Sequence, residues 1–289
     1  MSPTLMRTGS DLFLGVPGLQ RAVRAAALQG LLPRQVWGRL HPTGGWTLRA
    51  PDGHPFRYIS SKDDILARSL IWTNMRHWEE TTIPVFYALA QQVRCFADFG
   101  AFSGIYTLLA CRANPSLRAV AVEPNPGAAA MLRRNIEAND LTGRVTISDH
   151  ALSDSPGRTH LGIPADTTAA SLLAAPNATH TVEVEVTTGD ELLKGLPVDL
   201  VKIDVEGLEP QVLRGMARTI AAHHPAIIAE CLSKQALDTL CETARELGYH
   251  HIHHLSSTGP VPVTDDLVPP DSYANFLITY EPMRLTHVR

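Results

Sequence analysis

"RCFADFGAFSGIYTLLACRAN", residues 94–114, decides how the chain is read. Cys95 to Phe99 is an apolar run interrupted only by Asp98; Gly100 and Gly104 break it, and Ile105, Leu108 and Leu109 then recur at helical spacing. That is a strand, a glycine-bearing turn and a helix. The pattern then repeats. "RAVAVEP" (118–124) is a second strand, and "PGAAAMLRRNIEANDLTG" (126–143) a helix that buries Met131, Leu132 and Ile136 while Arg133, Arg134 and Glu137 face water. "RVTISDHAL" (144–152), "VDLVKIDVEG" (198–207) and "PAIIAEC" (225–231) are further strands, and "YHHIHHL" (249–255) and "ANFLITY" (274–280) end the series. Strict alternation of strands and helices predicts an α/β fold with a doubly wound, mostly parallel Rossmann-like sheet of about seven strands. "GRTHLGI" (157–163) and "HTVEVEV" (180–186) read as a side excursion. They bracket a polar loop, 164–181, the best candidate for a lid.

Upstream, the pattern differs. "GLQRAVRAAALQGL" (18–31) is a modest helix stopped by Pro33, and "WTLRAPDGHPFRYIS" (46–60) is a hairpin around Pro51-Asp52-Gly53. Residues 63–93 read as two helices broken near Thr81 to Pro84. Two domains are therefore expected: a helix and hairpin appendage over 1–90, which covers an acceptor site or makes a homodimer contact, and a catalytic domain over 91–289. Trp72, Met75, Trp78 and Phe86 read chiefly as packing residues, with Trp72 or Trp78 the alternative lining of an acceptor pocket.

Composition narrows the partners. The 289 residues are 44% hydrophobic and 19% charged, with a formal net charge of -4. That balance gives no whole-protein reason to expect nucleic acid or an anionic membrane as partner. Cys95, Cys111, Cys231 and Cys241 are widely spaced, so neither a zinc site nor a disulfide framework is expected. With no long apolar window and no leader pattern, a cytoplasmic protein is the expectation.

Ligands of doubly wound sheets bind beyond the carboxyl ends of the strands, where strand order reverses. The first strand ends in Asp98-Phe99-Gly100-Ala101-Phe102-Ser103-Gly104, and the second in Glu123, 25 residues beyond Asp98. Gly100 and Gly104 let backbone pass close to a ligand. Glu123 is placed to accept both hydroxyls of a ribose. The G-x-G-x-x-G fingerprint for a pyrophosphate is missing, and Asp98 beside the loop is poor company for a phosphate. A ligand with an ammonium and a ribose but no phosphate suits these residues better, which describes S-adenosylmethionine. The alternative is that the glycines shape a turn and Glu123 caps the next helix.

"FADFGAFSGIYTLLA" (96–110), "AVAVEPNP" (119–126), "DELL" (190–193) and above all "VDLVKIDVEGLEPQVLRG" (198–215) resemble the FkbM-type methyltransferases, class I enzymes that use S-adenosylmethionine. The resemblance covers roughly residues 78–232. It implies a cofactor site made by Glu79, Asp98, Gly100, Ala101, Ser103, Gly104, Glu123, Pro124, Asn125, Asp149, His150 and Asp204. It also implies O-methylation of a hydroxyl on a small molecule, a sugar, glycoside or polyketide-like metabolite. The family usually has Asn where this chain has Phe102, so a polar contact to the methionine end of the cofactor is not carried over.

In such a sheet the end of "KIDVEG" points into the cleft, and a period of two puts Asp204 and Glu206 on one face with Glu230 as neighbour. Three close carboxylates need a raised pKa, a cation, or Lys202. A carboxylate raised toward pH 7 is a general base for the acceptor hydroxyl. Magnesium or another divalent cation held by Asp204, Glu206 and Glu230 would acidify it instead. Asp204 could equally bind the cofactor's ammonium, and Glu206 could cap the helix that follows. Asp149 is placed for the adenine amine, and His150 for the ring or as the base, against a plain turn. The histidines of "YHHIHHL" read as a solvated sheet edge rather than a metal site. The rival functions are N-methylation of an amino sugar or amino acid, and a non-catalytic cofactor-binding module.

Overall fold

The computed structural model describes residues 18–164, 178–264 and 274–282. The chain forms two compact units that meet in sequence at Glu80 and Thr81. In the first unit, α1 (Leu19–Leu28) and α2 (Arg34–Trp37) precede the hairpin of β1 (Gly44–Arg49) and β2 (Pro55–Ser60), and α3 (Ala67–Thr73) follows. Gly53 turns the hairpin at a φ of 84°, a left-handed conformation in which a side chain would be strained. Trp46 and Trp72 meet edge to face at 5.8 Å, and the buried Trp72 indole donates to the Leu40 carbonyl at 2.8 Å. Trp72 is thus a core residue.

The second unit opens with α4 (Thr82–Ala90), which places the division ten residues before the one expected from sequence. Packing accounts for the shift: Phe86 of α4 lies edge to face with Phe96 at 5.1 Å and with Tyr106 at 4.7 Å. Then follow β3 (Cys95–Phe99), α5 (Ile105–Ala113), β4 (Arg118–Val122), α6 (Pro126–Ala138), β5 (Val145–Ser148), β6 (Ala151–Leu152), β7 (Gly157–Pro164) and β8 (Ala178–Thr187). The chain continues through α7 (Gly189–Leu192), β9 (Leu200–Ile203), α8 (Glu209–Arg214), α9 (Ala217–His223), β10 (Ala226–Cys231), α10 (Lys234–Glu246), β11 (His251–Ser256), β12 (Gly259–Pro262) and β13 (Ala274–Thr279).

Eight strands form the large sheet in the order β12-β11-β13-β10-β9-β3-β4-β5. Pairing is parallel from β10 to β5 and antiparallel from β10 outward to β12. The fold class matches the sequence expectation, with one strand more. That strand, β12, pairs with β11 and takes the edge, so the histidine strand lies inside the sheet. Pro260 and Pro262 in β12 lack amide hydrogens and suit an edge, where among the described residues no further strand receives them. The expected excursion is a separate sheet, β6-β8-β7. Of the candidate lid, residues 165–177 lie outside the described residues.

One face of the sheet buries Val201, Ile203, Ile227 and Phe276 under Val212, Met216, Leu237 and Leu240. Alternation along β9 sends Lys202 to the opposite face, in register with Asp98 of β3. Strand order reverses between β3 and β9, so the carboxyl ends of β3, β4 and β9 flank the crevice. All four cysteines are buried and free. Among the described residues no helix is long and apolar enough to cross a membrane.

Candidate active site

The turn after β3 is set by backbone crowding. Gly100 has a φ of 81°, and a Cβ there would stand 1.7 Å from the Asp204 carbonyl oxygen. The Asp204 amide donates to the Phe99 carbonyl at 2.9 Å, which locks the ends of β3 and β9 together. Gly104, at a φ of 84°, begins α5 without a capping side chain of its own. Asp98 supplies the cap: its Oδ2 accepts from the Thr107 amide at 3.0 Å and hydroxyl at 2.6 Å. Burial pushes Asp98 up to about 6, against the Thr107 bonds and the charge of Lys202, which lower it. Asp98 therefore has a structural partner that the sequence reading did not assign. Ala101 and Ser103 are buried, and the Ser103 carbonyl accepts from Asn135 Nδ2 at 2.9 Å.

Glu123, at the end of β4, fastens two loops. Its Oε2 accepts from the Phe102 amide and its Oε1 from the Asn125 amide, each at 2.8 Å. Burial pushes this carboxyl up to about 7, the two amides pull it down, and the charges of Asp98 and Asp204 raise it further. A carboxylate has about four lone-pair sites, so two acceptor sites remain after these bonds. Following Pro124, Asn125 caps α6 through its Oδ1 to the Gly127 amide at 3.0 Å. Its Nδ2 is buried with no hydrogen-bond partner among the described residues.

At the end of β9, Lys202 is 1% exposed, and its Nζ donates to Asp204 Oδ2 at 3.1 Å. The ammonium also lies 5.5 Å from the Tyr106 ring centroid. Asp204 is 31% exposed and opens toward solvent. The strand ends at Ile203, and Glu206 sits in a left-handed turn at a φ of 55°, so the period of two does not carry as far as Glu206. Burial pushes Glu206 up to about 7, helped by the charges of Asp204 and Glu209. Glu209 is the residue the sequence reading missed. It is 2% exposed, and its Oε1 accepts from the amides of Val205 at 3.2 Å and Gly207 at 3.1 Å. An acid in the first helical turn just after a glycine, with Pro210 behind it, is the signal that could have found it.

These positions lend no support to the reading of Asp204, Glu206 and Glu230 as a metal-binding set. Register pairs Ala229 with Ile203, so Glu230 and Asp204 stand at one level on adjacent strands. Glu206 leaves that level in its left-handed turn, and Lys202 already neutralises Asp204. Among the described residues no group of three or more His, Cys, Asp or Glu side chains is arranged to hold a metal.

The remaining candidates lie apart. Asp149 is exposed, and both its oxygens lie 2.6 Å from Arg133 Nη2. His150 is half-buried, with Nδ1 at 3.0 Å from Ser148 Oγ and Nε2 at 3.5 Å from Glu185. His150 follows β5, three strands from β9. At about 4.8 Å per strand that is on the order of 14 Å from Asp204, so the two are not brought together. Glu79 belongs to the first unit, where its φ is 50°. Asp190 of "DELL" holds the start of α9, its Oδ1 accepting from the Thr219 amide at 2.7 Å.

The model of the methyltransferase FkbM domain matches residues 95–250, more than half of the chain and the whole crevice just described. The chain belongs to this family. It is a methyltransferase dependent on S-adenosylmethionine. No curated protein matches it in sequence. Among solved structures it is similar to a methyltransferase FkbM from Methylobacillus flagellatus KT, with 16% identity, 76% of this chain and 55% of that one covered, and a TM-score of 0.44. An S-adenosylmethionine-dependent O-methyltransferase from Thermotoga maritima gives 16% identity, coverages of 83% and 79%, and a TM-score of 0.44. A precorrin-6y C5,15-methyltransferase from Geobacter metallireducens GS-15 gives 14%, 68% and 88%, and 0.42.

The crevice of this FkbM methyltransferase fits such a cofactor. Asn125 offers a buried donor that no described residue uses, and Glu123 and Asp98 bring acidic groups to the site, as a sulfonium with an ammonium requires. Phe102 stands in the left-handed region at a φ of 49°, where Asn is tolerated and a bulky side chain is strained. The Asn usual in the family at this position thus has a backbone reason.

Proposed function

We propose that this methyltransferase transfers a methyl group to a hydroxyl of a sugar, glycoside or polyketide-like small molecule. The observation that supports oxygen as the acceptor is Glu206, a carboxyl pushed up to about 7 beside the partly exposed Asp204. An aliphatic hydroxyl must lose its proton as the methyl arrives, and a base serves best when its pKa lies near the working pH. A neutral amine needs no such base at the moment of attack. When bound, S-adenosylmethionine supplies an activated methyl on a sulfonium. Glu123 would accept the ribose hydroxyls and Asn125 Nδ2 would donate to the nucleoside, with Gly100 to Gly104 as the backbone beside it. Asp204, held by Lys202, would orient the acceptor or the cofactor ammonium, and Glu206 would take the hydroxyl proton. Asp149, His150 and Glu79 remain proposed contacts by family resemblance.

The test is to follow S-adenosylhomocysteine release with a panel of sugars, glycosides, polyketides and amino sugars, and to locate the new methyl by NMR. Glu206→Gln is expected to lose most turnover while S-adenosylhomocysteine still binds. Methylation at nitrogen alone would overturn the hydroxyl assignment. Tight cofactor binding with no turnover on any acceptor would favour a binding module.

A further inference from the structure

We propose that the amino ends of β3, β4 and β5 form a second binding site, on the side of the sheet away from the crevice, for a small anion with an apolar body. Parallel pairing places Arg94, Arg118 and Arg144 side by side there. Cys95 is in register with Arg118, the Arg118 amide donates to the Arg94 carbonyl at 2.9 Å, and the Ala119 amide donates to the Arg144 carbonyl at 2.9 Å. All three border a cavity of about 400 Å³. That volume is within the range of small-molecule sites.

The three arginines do different work. Arg144 is scaffold: its guanidinium donates to the carbonyls of Leu117 at 3.1 Å, Cys111 at 2.8 Å and Asn114 at 3.2 Å. Arg94 and Arg118 are exposed, and among the described residues neither guanidinium has a hydrogen-bond or ion-pair partner. The neighbouring carboxylate, Asp199, is occupied with backbone, its Oδ2 accepting from the amides of Arg94 at 2.8 Å and Cys95 at 3.0 Å. Val120, Val145, Leu196 and Pro197 supply apolar wall, and Ser116, Thr142 and Thr146 add hydroxyls. Apolar wall residues beside two guanidinium groups without partners are the make-up of a ligand pocket, and the planar guanidinium fork matches a carboxylate, sulfonate or phosphate. The five residues of β3 separate this cavity from the crevice by roughly 13 Å, so a ligand here would not compete with cofactor.

The probe is 8-anilinonaphthalene-1-sulfonate, an anion on an apolar body, titrated by fluorescence into the full chain saturated with S-adenosylhomocysteine so that the crevice is filled. Saturable binding is expected, at least tenfold weaker in Arg94→Gln/Arg118→Gln. The uncharged N-phenyl-1-naphthylamine should bind alike to both proteins. A second variant, Gly143→Glu, guards against misfolding: Gly143 borders the cavity, and a Cβ there meets nothing within 4 Å. Its added carboxylate should also weaken the sulfonate dye. Absence of saturable binding, or sulfonate affinity unchanged in either folded variant, would overturn the site.

Discussion

Glu123 shows how one side chain can serve loop geometry and ligand binding together. Its carboxyl is raised to about 7. The proton it retains therefore favours the folded, cofactor-free protein below the ordinary carboxylate range, and that contribution is lost as pH rises through about 7. The ionised form is the one that suits a cationic sulfonium. Affinity for S-adenosylmethionine is thus expected to rise about tenfold between pH 6 and pH 8, as a group with a pKa near 7 releases its proton. Calorimetric titration at the two pH values checks this. Glu123→Gln should bind more weakly and lose the slope, and a slope that survives in that variant would assign the proton to Glu206 instead. Phe102 offers a stability test of the same loop. Replacing it by Asn relieves a left-handed strain of about 1 kcal/mol, and urea denaturation should show a gain of that order. A loss would mean that the ring's packing outweighs the strain.

At the scale of elements, acids from outside a helix or loop hold its backbone: Asp98 caps α5, Asp190 caps α9, and Glu209 ties the turn between β9 and α8. Sequence periodicity locates the elements themselves, because it registers which face of each strand or helix is buried. It does not reveal such caps, because the partners are brought together only by the fold. This is why Asp98 reads in sequence as a ligand contact and a cap could be offered for Glu206 only as the alternative to a site role, while the residue that fastens the turn is Glu209. It is also why the edge strand β12 goes unread: "GPVP" has the residues of a loop, and only its pairing with β11 makes it a strand. The Glu209 assignment carries its own test. Glu209→Ala leaves the half-buried amides of Val205 and Gly207 without their acceptor, which should cost about 1 kcal/mol or more of stability and most of the turnover. Glu209→Gln keeps an acceptor oxygen and should recover the stability. If both variants melt like the parent, the turn is held by other contacts.

Across the whole molecule, the α/β class and the mostly parallel sheet were legible in the sequence because strands buried on both faces read as apolar runs alternating with helical periodicity, whereas the strand order, with the histidine strand inside the sheet, was not. The limits of the catalytic unit were legible only in part. Residues 82–90 read as part of an N-terminal appendage, yet α4 belongs with β3 and α5 through Phe86, Phe96 and Tyr106. Nothing in a local pattern marks which of two neighbours a buried aromatic will join. The corrected boundary makes a prediction about the division of labour. Each residue proposed for a cofactor role, from Asp98 to Asp204, lies in the unit of residues 81–289, and Glu79 does not. The fragment 81–289 should therefore melt cooperatively and bind S-adenosylhomocysteine within a few-fold of the full chain, while acceptor turnover is lost if the first unit recognises the acceptor. Calorimetric titration and a thermal melt on the same preparation separate the outcomes. A fragment that melts cooperatively but does not bind would show that the first unit, with Glu79 its named candidate, is needed for the cofactor. A fragment that both binds and turns over the acceptor would remove the first unit from catalysis altogether.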